Sequence, residues 1–235
     1  MASEELTVDL TLKNAMLGHS KYQLLLKGLS QSSQRSLAFK TALGGDLVQV
    51  FKFTHYSKKP TTYTVKVEGV ENSTATDFKA EVAQVQAPAA ENNKGTDVSC
   101  SVRFEPFTIG DSRGVLKLTS PEGMEYTCLL FGKSTAPQPQ GPIKCPTGAK
   151  PSAVDFKNPL NEKCDFHVTF DNTNFSLMSK LPGPLDPGKV TALQIKYEAK
   201  PGLPTTGRMM VSTKGLPPWV FYLQGEEGES GGKGK

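Results

Sequence analysis

Three times the chain runs an aromatic residue, then apolar residues at every second place, then glycine. The segments are Tyr22-x-Leu24-x-Leu26-x-Gly28, Tyr126-x-Cys128-x-Leu130-x-Gly132 and Trp219-x-Phe221-x-Leu223-x-Gly225. Side chains two apart along a strand share one face, so each run reads as a half-buried β-strand. The closing glycine predicts the point where the backbone turns out of the strand. These glycines lie 104 and 93 residues apart. That period is too long for a solenoid unit and fits a β-sandwich domain of ~100 residues.

The correspondence continues upstream. Val98-x-Cys100-x-Val102-x-Phe104 matches Thr191-x-Leu193-x-Ile195-x-Tyr197. Each is followed by a Pro/Gly loop and a further alternating strand, Gly114 to Leu118 and Gly207 to Val211. Strand, turn and strand at this spacing predict antiparallel pairs. Earlier still, Leu37-Ala38-Phe39 and Val154-Asp155-Phe156 read as first strands. Leu47 to Phe53 and Cys164-x-Phe166-x-Val168-x-Phe170 follow as second strands. Then come Tyr63-x-Val65-x-Val67 and Phe175-x-Leu177. No stretch of helical length carries an apolar stripe at i, i+3, i+4, i+7, so the chain is expected to be all-β.

Domain boundaries follow from the copies. Residues 36–134 form one complete sandwich and residues 143–225 a second. Residues 135–142 form a Pro-rich linker, which at ~3.1 Å per residue in a polyproline conformation is a spacer more than a free tether. Residues 71–97 are an insertion of the first copy, in which Phe78 to Val85 is expected as an edge strand and Ala89 to Asn93 as loop. Residues 226–235 are a tail too polar to bury anything. Residues 1–35 read as a β-hairpin, the last two strands of a third copy. A lone hairpin is marginal in water. It must pair with the first sandwich or lack the rest of its own domain, and the second option implies a longer natural protein with further copies upstream.

Composition removes several function classes. Lys+Arg 27 against Asp+Glu 23 gives a net charge of +4 in 235 residues, with no basic block, so nucleic acid is not implied. No apolar run approaches the ~20 residues of a membrane helix. The Met-Ala-Ser-Glu-Glu start has no signal-peptide core, which argues against secretion. Four cysteines without a C-x-x-C pair make neither a disulfide framework nor a zinc site. In a reducing compartment the sequons at Asn72 and Asn174 carry no meaning.

The combination of Phe104-x-Pro106, Gly110, Gly114-x-Leu116-x-Leu118 and Tyr126-x-Cys128-x-Leu130-x-Gly132 resembles a known family. The Gly141-Pro142-Ile143 lead-in and Phe156-Lys157-Asn158-Pro159-Leu160 add to it. The resemblance is to the ASH (ASPM, SPD-2, hydin) and major-sperm-protein-like immunoglobulin-type domains of large ciliary proteins, in the style of hydin and of cilia- and flagella-associated protein 47. It covers residues 36–225 and part of 1–28. Ala199 stands where the first copy has Pro106, and the middle of the second copy is shorter. The resemblance implies tandem immunoglobulin-like (ASH/MSP/PapD-like) sandwiches. It further implies a structural role in the axoneme of cilia and flagella, within the cytoplasm and cytoskeleton. Partners would be other axonemal proteins of the central apparatus and microtubule-associated proteins.

The residues themselves assign no catalytic, cofactor-binding or metal-binding role, and no enzyme is expected. His19 is expected in a turn, His55 at a strand end and His167 on a polar strand face, each a lone exposed histidine. Gly44-Gly45 precedes a strand, so no helix amides are offered to phosphate. Cys100 and Cys128 fall on apolar faces as buried thiols or as a sandwich-spanning bridge, the former favoured. Trp219 reads as a core anchor, with an interface role as the second reading. Lys58-Lys59-Pro60, Lys196, Lys200 and Arg208 are solvated faces or contacts for acidic partners. If there is a working surface it is a sheet edge, where unpaired backbone groups invite strand addition. Two other functions compete with the scaffold. One is a major-sperm-protein-like adaptor that recruits acidic motifs near membranes. The other is an extracellular adhesion or chaperone sandwich with a Cys100–Cys128 bridge.

Overall fold

The computed structural model describes residues 5–16, 18–27, 35–70, 77–91, 94–148, 151–178, 181 and 183–226. Among them there are seventeen strands and no helix. Two compact units divide the chain, residues 1–35 and residues 36–235.

The first unit is an antiparallel hairpin of β1 (Glu5–Asn14) and β2 (Gly18–Lys27). Its register sets Leu6 opposite Leu26, Val8 opposite Leu24 and Leu10 opposite Tyr22, so one face is continuously apolar. His19 pairs with Lys13 inside the strands rather than sitting in a turn. Gly28 lies outside the described residues.

The second unit holds two sandwiches. The first is built from β3 (Arg35–Ala42), β4 (Leu47–His55), β5 (Thr61–Gly69), β6 (Phe78–Ala80), β7 (Gln84–Ala87), β8 (Thr96–Phe104), β9 (Gly110–Thr119) and β10 (Glu125–Thr135). One sheet has the order β3-β10-β9-β5-β7 and the other β4-β8-β6. Buried residues alternate along the strands, as in Val98, Cys100, Val102 and Phe104 on β8 and Leu116 and Leu118 on β9, and the two sheets share one core. The second sandwich is built from β11 (Gln140–Pro146), β12 (Ser152–Lys157), β13 (His167–Phe170), β14 (Phe175–Leu177), β15 (Val190–Tyr197), β16 (Thr206–Ser212) and β17 (Trp219–Glu226). Its sheets run β11-β17-β16-β13 and β12-β15-β14. An all-β chain of repeated sandwiches is what the alternation predicts, and the immunoglobulin-like class is what the family resemblance implies.

Four expectations change. Gly132 and Gly225 do not end their strands. Gly132 sits inside β10, and Gly225 is followed by Glu226 in β17, where Glu226 also pairs with Lys144 instead of opening a tail. The glycines are required by the opposite sheet. A Cβ on Gly132 would lie within 3.0 Å of the Phe104 ring, and one on Gly225 would collide with the Tyr197 ring. Phe104 and Tyr197 close the matching strands β8 and β15, so each sandwich repeats one contact, an aromatic ring laid across bare backbone.

The stretch expected as a single edge strand over Phe78 to Val85 is two short strands that serve opposite sheets, β6 against β8 and β7 against β5. The linker is also shorter than expected and is pinned. β10 runs to Thr135 and β11 begins at Gln140, pairing in parallel with β17, so only residues 136–139 lie between strands. Finally, Cys164 and Phe166 precede β13. The backbone of Cys164 is engaged by Leu185 in an isolated bridge, which keeps the alternation from becoming one long strand.

All four thiols are free, with Cys100, Cys128 and Cys145 buried and Cys164 half-buried. Burial raises the thiol pKa of Cys100, Cys145 and Cys164 by disfavouring the thiolate. Asn174, the second sequon, is buried. Its Nδ2 donates to Pro204 O at 3.1 Å, so the folded chain offers no glycan acceptor there.

Gly132→Ala and Gly225→Ala should each cost about 1–3 kcal/mol in denaturant unfolding, the range for overpacking a core. The Tyr197 hydroxyl is buried without a hydrogen-bond partner among the described residues. An unmade hydrogen bond costs roughly 1–3 kcal/mol, so Tyr197→Phe should leave stability unchanged or raise it. With a thiol-colouring reagent on the native protein, Cys164 should react first and the other three only on unfolding. A bridge between Cys100 and Cys128 would show instead as two thiols missing after denaturation.

Candidate functional site

His55, of a residue type that carries chemistry in other proteins, is used for structure here. His55 is fully buried. Its Nε2 faces Lys59 O at 3.1 Å and so carries the proton, which leaves Nδ1 to accept from the Tyr63 hydroxyl at 2.8 Å. The expected lone exposed histidine is thus a core strut, and Tyr63 is its partner. Burial, with Tyr126 alongside, pushes the Tyr63 phenol up to about 12, so it stays a hydroxyl. His167 and His19 are exposed, as expected. Among the described residues no group of three or more His, Cys, Asp or Glu is placed to hold a metal ion.

Several basic residues are paired with acidic or backbone partners. Arg103 is held between Asp46 and Glu81, and its guanidinium lowers the Glu81 carboxyl. Arg208 pairs with Asp171 at 2.7 Å. Burial alone would raise that carboxyl, and the Arg208 donors more than reverse it. Lys117 pairs with Glu68 and Lys196 with Glu198, both at 2.5 Å, while Lys200 Nζ donates to Thr173 O at 2.9 Å. Ion pairs this exposed add little stability. Their effect is to neutralise the surface.

What remains is backbone. The sheets of the two sandwiches end in β3, β7, β4, β6, β11, β13, β12 and β14. Native sheets protect edges by shortness, proline or charge. β6 and β14 are three residues long, and β7 and β13 are four. β11 contains Pro142 and Pro146, which have no N–H to offer. The side chain of Gln49 donates to Ala38 O on β3. β12 is six residues long without proline, and β4 is longer still. β4 runs nine residues without proline or register shift, pairs with β8 on one side, and has no strand on the other among the described residues. It also turns Val48 and Val50 outward, 41% and 47% exposed. Sequence reading marked edges in general. It could not single out β4, because the alternation of Leu47 to Phe53 reads the same for a central strand.

A second feature lies between the sandwiches. Leu43, in the corner joining β3 to β4, is buried in the core of the second sandwich rather than the first. Trp219, which opens β17, packs on Phe156 and Phe166 at ring separations of 5.5 and 6.0 Å. Its Nε1 donates to Leu43 O at 3.3 Å. Trp219 is a core anchor, as its first reading expects, and it also touches the other sandwich through Leu43.

Comparison with known proteins bears on this arrangement. No family model matches the chain. It is 33% identical over 230 residues to hydrocephalus-inducing protein of Mus musculus, and 32% identical over 228 residues to its Homo sapiens homologue. These matches cover 94% and 92% of this chain and 4% of each relative, so the chain spans a small part of their length. Among solved structures, the ASH/PapD-like domain 7 of human CEP192 overlays with a TM-score of 0.33 at 16% identity, over 43% of this chain and 82% of that one. The CupB2 chaperone of Pseudomonas aeruginosa overlays with a TM-score of 0.32 at 11% identity, over 84% and 100%. The chain, two β-sandwiches preceded by a hairpin, is thus similar along nearly its whole length to a segment of hydrocephalus-inducing protein.

Proposed function

We propose that this chain is a non-enzymatic structural element of cilia and flagella that holds neighbouring axonemal proteins by strand addition at its sheet edges, β4 foremost. The observation that carries the reading is the nine-residue β4, which has β8 on one side and no strand on the other among the described residues, with Val48 and Val50 exposed along it. An extended segment laid along that edge adds a strand beside β4. Its alternate apolar side chains cover the two valines. Each such contact is weak, but tandem copies along one chain raise the effective concentration for the next contact, so a scaffold needs no single tight site. Similarity to hydrocephalus-inducing protein and the resemblance to the ASH-type domains of large ciliary proteins support the ciliary setting.

The same reading divides the chain into sandwiches at 36–134 and 143–225. It takes the hairpin of residues 1–35, with its apolar face of Leu6, Val8, Leu10, Tyr22, Leu24 and Leu26, as the closing strands of a preceding sandwich. The alternative, an adaptor for acidic motifs, needs an open basic groove. The pairing of Arg103, Lys117, Lys196 and Arg208 disfavours it.

Val48→Lys with Val50→Lys should leave the melting curve of the isolated chain nearly unchanged, since both side chains already face solvent. Placed in the full-length protein of ciliated cells, the pair should remove a subset of neighbours from proximity labelling. An unchanged set of neighbours around a normally folded variant would refute the edge assignment. Absence of the protein from cilia would refute the setting.

A further inference from the structure

We propose that the two sandwiches are locked into one body by a leucine plug, so that residues 36–226 act as a strut of fixed angle. Leu43 is 2% exposed, yet it contributes nothing to the core of the sandwich that carries it. Its side chain lies among the core residues of the second sandwich, with Trp219, itself 5% exposed. The backbone of the same residue is held from both sides. Leu43 N donates to Thr135 O at 2.9 Å, at the end of β10, and Leu43 O accepts from Trp219 Nε1. Gly44 follows at φ +94°, a conformation that side chains rarely adopt, and a Cβ there would come within 3.2 Å of Trp219 Nε1. Beside the plug, Lys157 of the second sandwich pairs with Glu105 of the first. Swinging the sandwiches apart would return a buried leucine to water and open the pocket around the only tryptophan in the chain.

The second sandwich shows what the plug replaces. Phe39-Lys40-Thr41-Ala42-Leu43 aligns with Phe156-Lys157-Asn158-Pro159-Leu160. In the second corner the leucine turns back into its own core. Asn158 Oδ1 accepts from Leu160 N at 2.9 Å, and its Nδ2 donates to Leu185 O and Glu162 O, both at 2.9 Å. Thr41 has no amide with which to fold its corner back in this way, and its leucine goes outward. The residue two places before the corner leucine thus separates a corner that closes on itself from one that docks on the following sandwich. The inference stands whether or not the chain works in cilia.

Residual dipolar couplings measured on the whole chain test it. Amides of both sandwiches should fit one alignment tensor. Leu43→Ser should split this into two tensors while leaving the first sandwich's spectrum in place, because Leu43 is outside its core. A short Gly-Ser insertion between Pro137 and Gln138 leaves both cores and the plug intact, and should keep the single tensor. Separate tensors in the unmodified chain would overturn the proposal. So would a single tensor in Leu43→Ser, or sandwiches set free by the insertion alone, which would make the short connection and not the plug the source of the fixed angle. If Leu43→Ser fails to fold, the unmodified chain and the insertion variant still decide the outcome.

Discussion

A ring lying flat on bare backbone organises each half of the second unit. Phe104 crosses from β8 to Gly132 on β10, and Tyr197 crosses from β15 to Gly225 on β17. These contacts join the two sheets of each sandwich at one end. They draw in further rings, Phe39 and Phe78 around Phe104 at 5.8 and 4.9 Å, and Phe175 beside Tyr197 at 4.9 Å. Interiors packed at crystal-like density leave no slack for a methyl group at such a point. The glycine and the aromatic residue are therefore one device written at two places in the sequence, about thirty residues apart in each copy.

That device explains why so much of the fold could be read from the chain. The alternation in Val98 to Phe104, Thr191 to Tyr197 and the three closing runs reports one buried and one solvated face, which physics ties directly to strands. Repetition of the whole series then fixes the unit. The closing glycine reads as a turn for a physical reason. In a sequence, glycine at a strand end means a turn unless the residue facing it across the core is known, and that residue lies on another sheet.

Other features are invisible for the same reason, since they depend on what a residue meets far along the chain. His55 reads as a strand-end histidine until Tyr63 and the Lys59 carbonyl close on it. Nothing in the sequence around Leu43 shows that Trp219, 176 positions away, covers it. The Pro-rich stretch around Gln140 reads as a spacer because prolines suppress sheet pairing, yet its non-proline residues add β11 to the edge of the second sandwich. The insertion of the first copy reads as one strand because Glu81, Val82 and Ala83 carry no turn signal strong enough to show that the chain changes sheets between β6 and β7.

Taken together, the chain spends its chemistry on being a surface. His55, Cys100, Cys128 and Cys145 are buried, Arg103, Lys117, Lys196 and Arg208 are ion-paired, and β4 has no strand on one side among the described residues, with Val48 and Val50 exposed along it. Residue-resolved amide exchange on the native chain tests this most directly. It should show two islands of slow exchange, centred on β8 to β10 and on β15 to β17. Along β4 it should show protection at every second residue, the signature of a strand bonded on one side only. Uniform protection along β4 would mean that the edge is already covered, and would contradict the account.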